Sequence, residues 1–270
     1  MEENKMKRVL TIGGSDPFAG GGIQSDLKTF ENYQLFGLSA LTCVGFLDEQ
    51  GAFQLENLSP RLLKQQLASL TKMTSLDGIK LGLLHSEEAI TIVRDFLIQN
   101  SELPVVLDPV LAFKETKTTE NKRYMDKMIS ELFPLATVIT PNLKEAALLA
   151  NQDKLRSLDD LRHAAQTIHA LGAKQLVIKG GQGIHGDFAI DLFFDGEKEQ
   201  LFTRKKLTKS TVNGAGCTFS SAILANLCQG NSLPDAIATS KDYVYHCIEH
   251  GILMNDGSGS VWSGGKLKEE

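Results

Sequence analysis

The sequence predicts an α/β fold: a mostly parallel sheet covered by helices on both faces, in a single domain spanning residues 1–270. Three observations carry the prediction. Short apolar runs alternate with longer amphipathic segments in a strand-then-helix rhythm. Val105-Val106-Leu107 is apolar on both faces, as a strand inside a parallel sheet must be. Polar and glycine-rich residues recur where the apolar runs end, and open parallel sheets bind ligands beyond those ends.

Val9-Leu10-Thr11-Ile12 reads as the first strand, and the glycine-rich 13–22 segment leads into a helix whose apolar Ile23, Leu27 and Phe30 recur at helical spacing. A strand at 39–46, a helix at 59–72, a strand at 78–81 and a helix at 87–99 follow, before the strand 105–107 ends on Asp108-Pro109. The polar 114–122 segment interrupts the rhythm and reads either as a lid, placed at about 111–123, or as a plain solvated loop. Strand 137–139 ends at Thr140-Pro141-Asn142, a helix begins at Lys144, and helix 158–171 is closed by Gly172. Strand 176–178 runs out into Lys179-Gly180-Gly181, and 189–194 with 199–202 flank Asp195-Gly196 as hairpin arms do. A Gly-Ala-Gly-Cys turn and two helices close the chain.

At 270 residues, 42% hydrophobic and 23% charged, the chain suits one large domain or two modest ones, and no repeat or low-complexity linker divides it. The net charge of -5 comes without a basic tract, which argues against nucleic acid as a partner. Cys43, Cys217, Cys228 and Cys247 lie far apart with no C-x-x-C pair, against a zinc knuckle or a disulfide framework. Residues 1–8 are charged and run straight into a strand, leaving no apolar core for a signal peptide. No stretch approaches membrane-spanning length, so the expectation is a cytoplasmic protein without a membrane partner.

Asn213-Gly214-Ala215-Gly216-Cys217-Thr218 precedes 219–225, which reads as a helix start. Gly214 and Gly216 let the backbone approach a ligand unobstructed, and first-turn N–H groups converge on an oxyanion held there. Cys217 stands at the same positive helix end, which lowers a thiol pKa and favours a partial thiolate able to take a hydroxyl proton. The plainer alternative is a buried cysteine beside an ordinary glycine turn. Asp108, Asn142 with Glu145, and Lys179 end other strands and would rim the same crevice. Asp108 also reads as a turn cap, and Asn142 as an N-cap with Glu145 completing a capping box. Together they match phosphoryl transfer: the Asp108 and Glu145 carboxylates and an amide for Mg²⁺ with its waters, a lysine for phosphate oxygens, and backbone amides for the developing charge.

These residues belong to an ordered set of motifs: Thr11-Ile12-Gly13-Gly14-Ser15-Asp16, Gly22-Ile23-Gln24-Ser25-Asp26, Lys80-Leu81-Gly82-Leu83-Leu84, Asp108-Pro109-Val110, Thr140-Pro141-Asn142-Leu143-Lys144-Glu145, Ile178-Lys179-Gly180-Gly181 and Gly214-Ala215-Gly216-Cys217-Thr218. Across almost the whole chain the set resembles the ribokinase superfamily, in the branch of hydroxymethylpyrimidine phosphate kinases and the related bacterial pyridoxal kinases. The resemblance implies a ribokinase-like three-layer α/β/α sandwich, commonly a homodimer. It also implies an ATP-dependent kinase that phosphorylates a hydroxymethyl group on a small heteroaromatic ring, with Mg²⁺ bridging nucleotide and protein. By the same resemblance Asn142 and Glu145 organise Mg²⁺ and the phosphates, Lys179 contacts phosphate, and Gly180, Gly181, Gln182 and Gly183 line the nucleotide site with Asp191. Asp26 is expected to face the substrate ring. Gly214, Ala215 and Gly216 resemble the anion hole, and Cys217 stands where most of the superfamily carries an aspartate as general base.

Two positions depart from the family patterns, and substrate choice turns on the second, in the 40–46 segment. Some pyridoxal kinases of the branch carry a lid cysteine shortly after Asp-Pro-Val; here Phe113 takes that place, which suggests an apolar or stacking contact instead. The pyrimidine kinases typically read Ala-Leu-Thr-Ala-Gln, and their Gln pairs with the aminopyrimidine; Val44 replaces it here. An aminopyrimidine would then leave its polar edge unpaired, at roughly 1–3 kcal/mol if buried. The expectation is therefore a pyridoxal kinase of vitamin B6 salvage, with hydroxymethylpyrimidine or hydroxymethylpyrimidine phosphate kinase of thiamine biosynthesis as the alternative. A vitamin-binding protein that kept the fold without turnover is a third possibility, against which the complete residue set argues.

Overall fold

The computed structural model describes residues 6–111 and 118–265. In chain order the elements are β1 (Arg8–Ser15), α1 (Gly22–Asn32), β2 (Phe36–Leu47), β3 (Phe53–Asn57), α2 (Pro60–Met73), β4 (Gly78–Leu81), α3 (Glu87–Ile98), β5 (Val105–Leu107) and α4 (Thr118–Leu132). They continue with β6 (Val138–Ile139), α5 (Leu143–Leu149), α6 (Leu158–Ala170), β7 (Leu176–Lys179), β8 (Phe188–Phe194), β9 (Glu199–Lys205), α7 (Ala215–Cys228), α8 (Leu233–Glu249), β10 (Ile252–Leu253) and β11 (Gly259–Ser260).

Nine strands pair in the order β3-β2-β1-β4-β5-β6-β7-β8-β9. From β2 to β7 every pairing is parallel, whereas β3 on one edge and β8 with β9 on the other join antiparallel. Because the parallel strands are buried on both faces, each strand sends alternate residues into two separate cores. Leu10, Ile12, Ile79 and Leu81 pack with α2 to α6, while Val9, Val106 and Val138 pack with α1, α7 and α8. The result is the expected sandwich of helices, sheet and helices. The chain leaves β1 for β2 on one side and returns to β4 on the other, so the strand order reverses at β1, and ligand crevices open at such a point.

The structure departs from the sequence reading in several places, among them the β10–β11 pair after the last helix and the extension of β1 through Gly13-Gly14-Ser15. Residues 118–122, read as part of a polar lid, begin helix α4, whose Tyr124, Met128 and Leu132 are buried against the core at helical spacing. The remainder of the predicted lid, residues 112–117 with Phe113, lies outside the described residues. β3 was not foreseen: it pairs with the outer half of β2, and Asp48 shapes the connection by accepting from the Gln50 and Ala52 N–H groups at 3.0 and 2.8 Å. Among the described residues no helix is long and apolar enough to cross a membrane.

Candidate active site

Helix α7 is capped by Gly214, whose φ of +83° belongs to the left-handed region that glycine adopts without strain. A side chain there would also press on Ser25 Oγ, at 3.0 Å from its β carbon. With glycine as cap, no side chain occupies the first-turn donors, so the helix start remains an anion site. A β carbon on Gly216 would lie 3.3 Å from Lys179 Nζ and 4.0 Å from Asp108 Oδ2, so a lysine and a carboxylate stand directly before that turn. Cys217 is half-buried on the same turn, and the glycine loop after β1 lies against it: a β carbon on Gly21 would come within 3.8 Å of Sγ. Chain segments from β1, β5, β7 and α7 thus meet around one point.

Lys179 Nζ donates to Asp108 Oδ1 at 2.7 Å, and Thr140 and Ser220 hydroxyls donate to the same carboxylate at 3.3 and 3.4 Å. Lysine charges hold the buried Asp108 carboxyl below its ordinary range against the opposing effect of burial. Asn142 caps α5, its Oδ1 accepting from the Lys144 and Glu145 N–H groups at 2.9 and 3.0 Å, while Glu145 Oε2 accepts from the Asn142 N–H at 2.8 Å. The plainer capping-box reading therefore holds, but it does not exhaust Glu145. The Glu145 residue is only 4% exposed, and its carboxyl is buried with it. Burial, with Asp108 adding to it and Lys179 opposing, pushes it up to about 7. Asp108 and Glu145 carry hard carboxylate oxygens of the kind that Mg²⁺ takes, and a cation beside them would draw Glu145 back toward its ionised form.

Asp191 supports the Gly180 turn rather than lying open: Oδ1 accepts from the Gly180 N–H at 2.9 Å and Oδ2 from Lys241 Nζ at 2.6 Å. A β carbon on Gly180 would run into the Ile190 carbonyl, so the turn passes too close to β8 for any other residue. Gln182 turns away and donates to the Leu207 carbonyl, and Gly183 packs on Leu143. A cavity of about 310 Å³ follows, with Asn142, Lys179, Gly181 and Gly216 at its polar part and Phe219, Val244 and Ile248 among its apolar lining. Lys241 and Arg204 also line it, Arg204 lying 5.6 Å from the Tyr245 ring centroid. The sequence reading missed Lys241, although its spacing from Ile237 and Val244 puts it on the buried face of α8, where a lysine needs a partner.

Two expectations need correction. Asp26 does not face the crevice: it is 1% exposed, and its oxygens are filled by Lys80 Nζ at 2.9 Å to each, Thr11 Oγ1 at 2.6 Å and Ser221 Oγ at 2.7 Å. Nor does the helix start make Cys217 acidic: burial pushes the thiol up to about 11, against the opposing pull of Lys80. Val44 lies on β2 opposite Ser15 of the glycine-loop strand and is 38% exposed. His85 adopts an uncommon backbone conformation and is tied to β3. Its φ is +62°, and its Nδ1 lies 2.7 Å from Asn57 Oδ1 of β3.

The phosphomethylpyrimidine kinase profile matches residues 16–262. The pyridoxine kinase of Bacillus subtilis is 35% identical over 252 residues, covering 93% of this chain and 93% of that one. The hydroxymethylpyrimidine/phosphomethylpyrimidine kinase of Aquifex aeolicus is 32% identical over 249 residues, covering 92% and 97%. The structure of the pyridoxal kinase from Staphylococcus aureus in complex with AMP-PCP and pyridoxal superposes with a TM-score of 0.90 at 36% identity, over 99% of this chain and 97% of that one.

Proposed function

The chain belongs to the phosphomethylpyrimidine kinase family, and we propose that it transfers the terminal phosphoryl group of ATP to the 5'-hydroxymethyl group of pyridoxal, giving pyridoxal 5'-phosphate. The observation that carries this reading is the meeting of the α7 first turn, Lys179, Asp108 and Cys217 beside a cavity with apolar walls. The nucleotide's phosphates rest on the first-turn N–H groups of α7, with Lys179 as the adjoining point charge, and its base takes the apolar part formed by Phe219, Val244 and Ile248. Asp108, Asn142 and Glu145 would hold Mg²⁺, which would neutralise charge on the phosphates as transfer proceeds.

Cys217 takes the proton of the attacking hydroxyl, from a position beside the glycine turn that receives the migrating group. Asp26 holds α7 from below through Ser221 rather than touching the ring. Val44 favours pyridoxal over an aminopyrimidine because it has neither donor nor acceptor for that edge. The Aquifex relative and the family's own description favour the pyrimidine alternative. The test is kcat/KM measured side by side with pyridoxal and hydroxymethylpyrimidine under saturating MgATP: a higher value for pyridoxal is expected, and the reverse order transfers the enzyme to thiamine synthesis. The homodimer is supported by the exposed Phe46, Leu47 and Phe53 of the β2–β3 hairpin, and sedimentation of the wild type against Phe53→Lys checks it.

A further inference from the structure

The first turn of α7 has two neighbours. Gly216 faces Lys179 and Asp108, whereas Gly214 and Cys217 face the glycine loop after β1. A β carbon on Gly214 would lie 3.4 Å from the Gly20 carbonyl carbon, one on Gly20 3.6 Å from Asn213 Cβ, and one on Gly21 3.8 Å from Cys217 Sγ. A ring alcohol that brings its hydroxyl to the sulfur therefore runs against this loop. The loop is anchored on α1. Gln24, in the first turn of that helix, accepts from the Asp16 N–H through Oε1 at 3.0 Å and donates to Ser15 Oγ through Nε2 at 2.7 Å. Because a backbone N–H can only donate, it fixes which end of the amide is the oxygen. Asp16 closes the loop tip in turn: its carbonyl accepts from the Ala19 N–H at 3.0 Å and its Oδ1 from the Phe18 N–H at 2.9 Å. Two residues further along α1, Asp26 accepts from Ser221 of α7 at 2.7 Å. One helix thus grips both the loop and the helix whose first turn the loop covers. The cavity assigned to the nucleotide takes its lining from Asn142, β7 to β9, α7 and α8, so Gln24 and the loop belong to the other side of that turn.

We propose that Gln24 is a positioning residue for the acceptor: by holding the glycine loop on α1, it sets the wall that keeps the acceptor hydroxyl between Cys217 and the phosphate at the start of α7. This rests on the kinase reading above. Gln24 acts through the loop, so its loss misplaces the hydroxyl without removing a reacting group, and a shift of about 1 Å is enough to cost about a hundredfold in rate.

Gln24→Met keeps the length of the side chain and removes both bonds. It is expected to lower kcat/KM for pyridoxal by about tenfold or more while KM for ATP stays within about twofold, and to melt near the wild type. Hydrogen exchange of the ligand-free protein, read by mass spectrometry, should run about fivefold or more faster in peptides covering 15–22 and at the wild-type rate in those covering α7. Ser15→Ala removes only the Nε2 contact and should give a smaller change of the same kind; if Gln24→Met does not fold, it decides by the same readings. Wild-type pyridoxal kinetics, a KM for ATP that rises as much as that for pyridoxal, or unchanged exchange in 15–22 each overturns the proposal. Exchange needs no substrate, so a wild type that turns over no ring alcohol would sink the kinase reading and leave this comparison standing.

Discussion

Cys217 and Glu145 carry the residue-scale consequences. Cys217→Ala removes the proposed base but no phosphate donor, so kcat should fall by about 10²–10⁴ while KM for ATP stays within about twofold in steady-state kinetics. Glu145 gives a pH signature whose sign follows from its folded carboxyl lying at about 7 against 4.5 for the free group. The folded state prefers the protonated form, so its contribution is fully present below pH 4.5 and disappears as pH rises through about 7. Glu145→Gln should therefore melt like the wild type at low pH and above it at pH 8, when both are measured without nucleotide or Mg²⁺. At this scale the strand-end residues Asp108, Asn142 and Lys179 were legible because a parallel sheet brings its carboxyl ends to one edge. The thiol was misjudged because a helix end is worth only about 0.3–1 kcal/mol at an exposed position, and burial outweighs it here. Asp26 was misjudged for a related reason: nothing in its local sequence announces that Lys80, 54 positions away, fills its oxygens.

Helix α8 and strand β8 are joined by the Lys241–Asp191 pair, which is also what holds the Gly180 turn in place. Lys241→Met leaves a buried carboxylate without its partner and should cost about 3–5 kcal/mol in urea unfolding, whereas Lys241→Met with Asp191→Asn should recover much of that loss. Both variants should raise KM for ATP if the turn loosens. The helices and parallel strands were readable because their apolar spacing is long and regular, and α6 ends at Gly172 with φ +106° as its composition implied. β3 escaped because Phe53-Gln54-Leu55-Glu56 is too short to show a period and gains its structure from pairing with β2. The start of α4 escaped because its polar face dominates the composition and only Tyr124, Met128 and Leu132 reveal the buried one.

For the molecule as a whole, the cavity proposed to take the nucleotide joins elements from both halves of the chain: Asn142 and Lys179 at the sheet edge, Gly216 and Phe219 on α7, and Val244 and Ile248 on α8. A nucleotide that bridges them stabilises the folded state only. AMP-PCP at about one hundred times its dissociation constant should therefore add about 2.7 kcal/mol, visible as a concentration-dependent rise in Tm. Absence of any rise would mean that the cavity is not the nucleotide site. The high thiol pKa of Cys217 has one more consequence, because peroxide attacks sulfur chiefly in its ionised form. A sulfur held neutral should therefore resist peroxide in the resting protein, so sulfinic acid at Cys217 is expected to build up slowly in ligand-free samples treated with peroxide and read by peptide mass spectrometry.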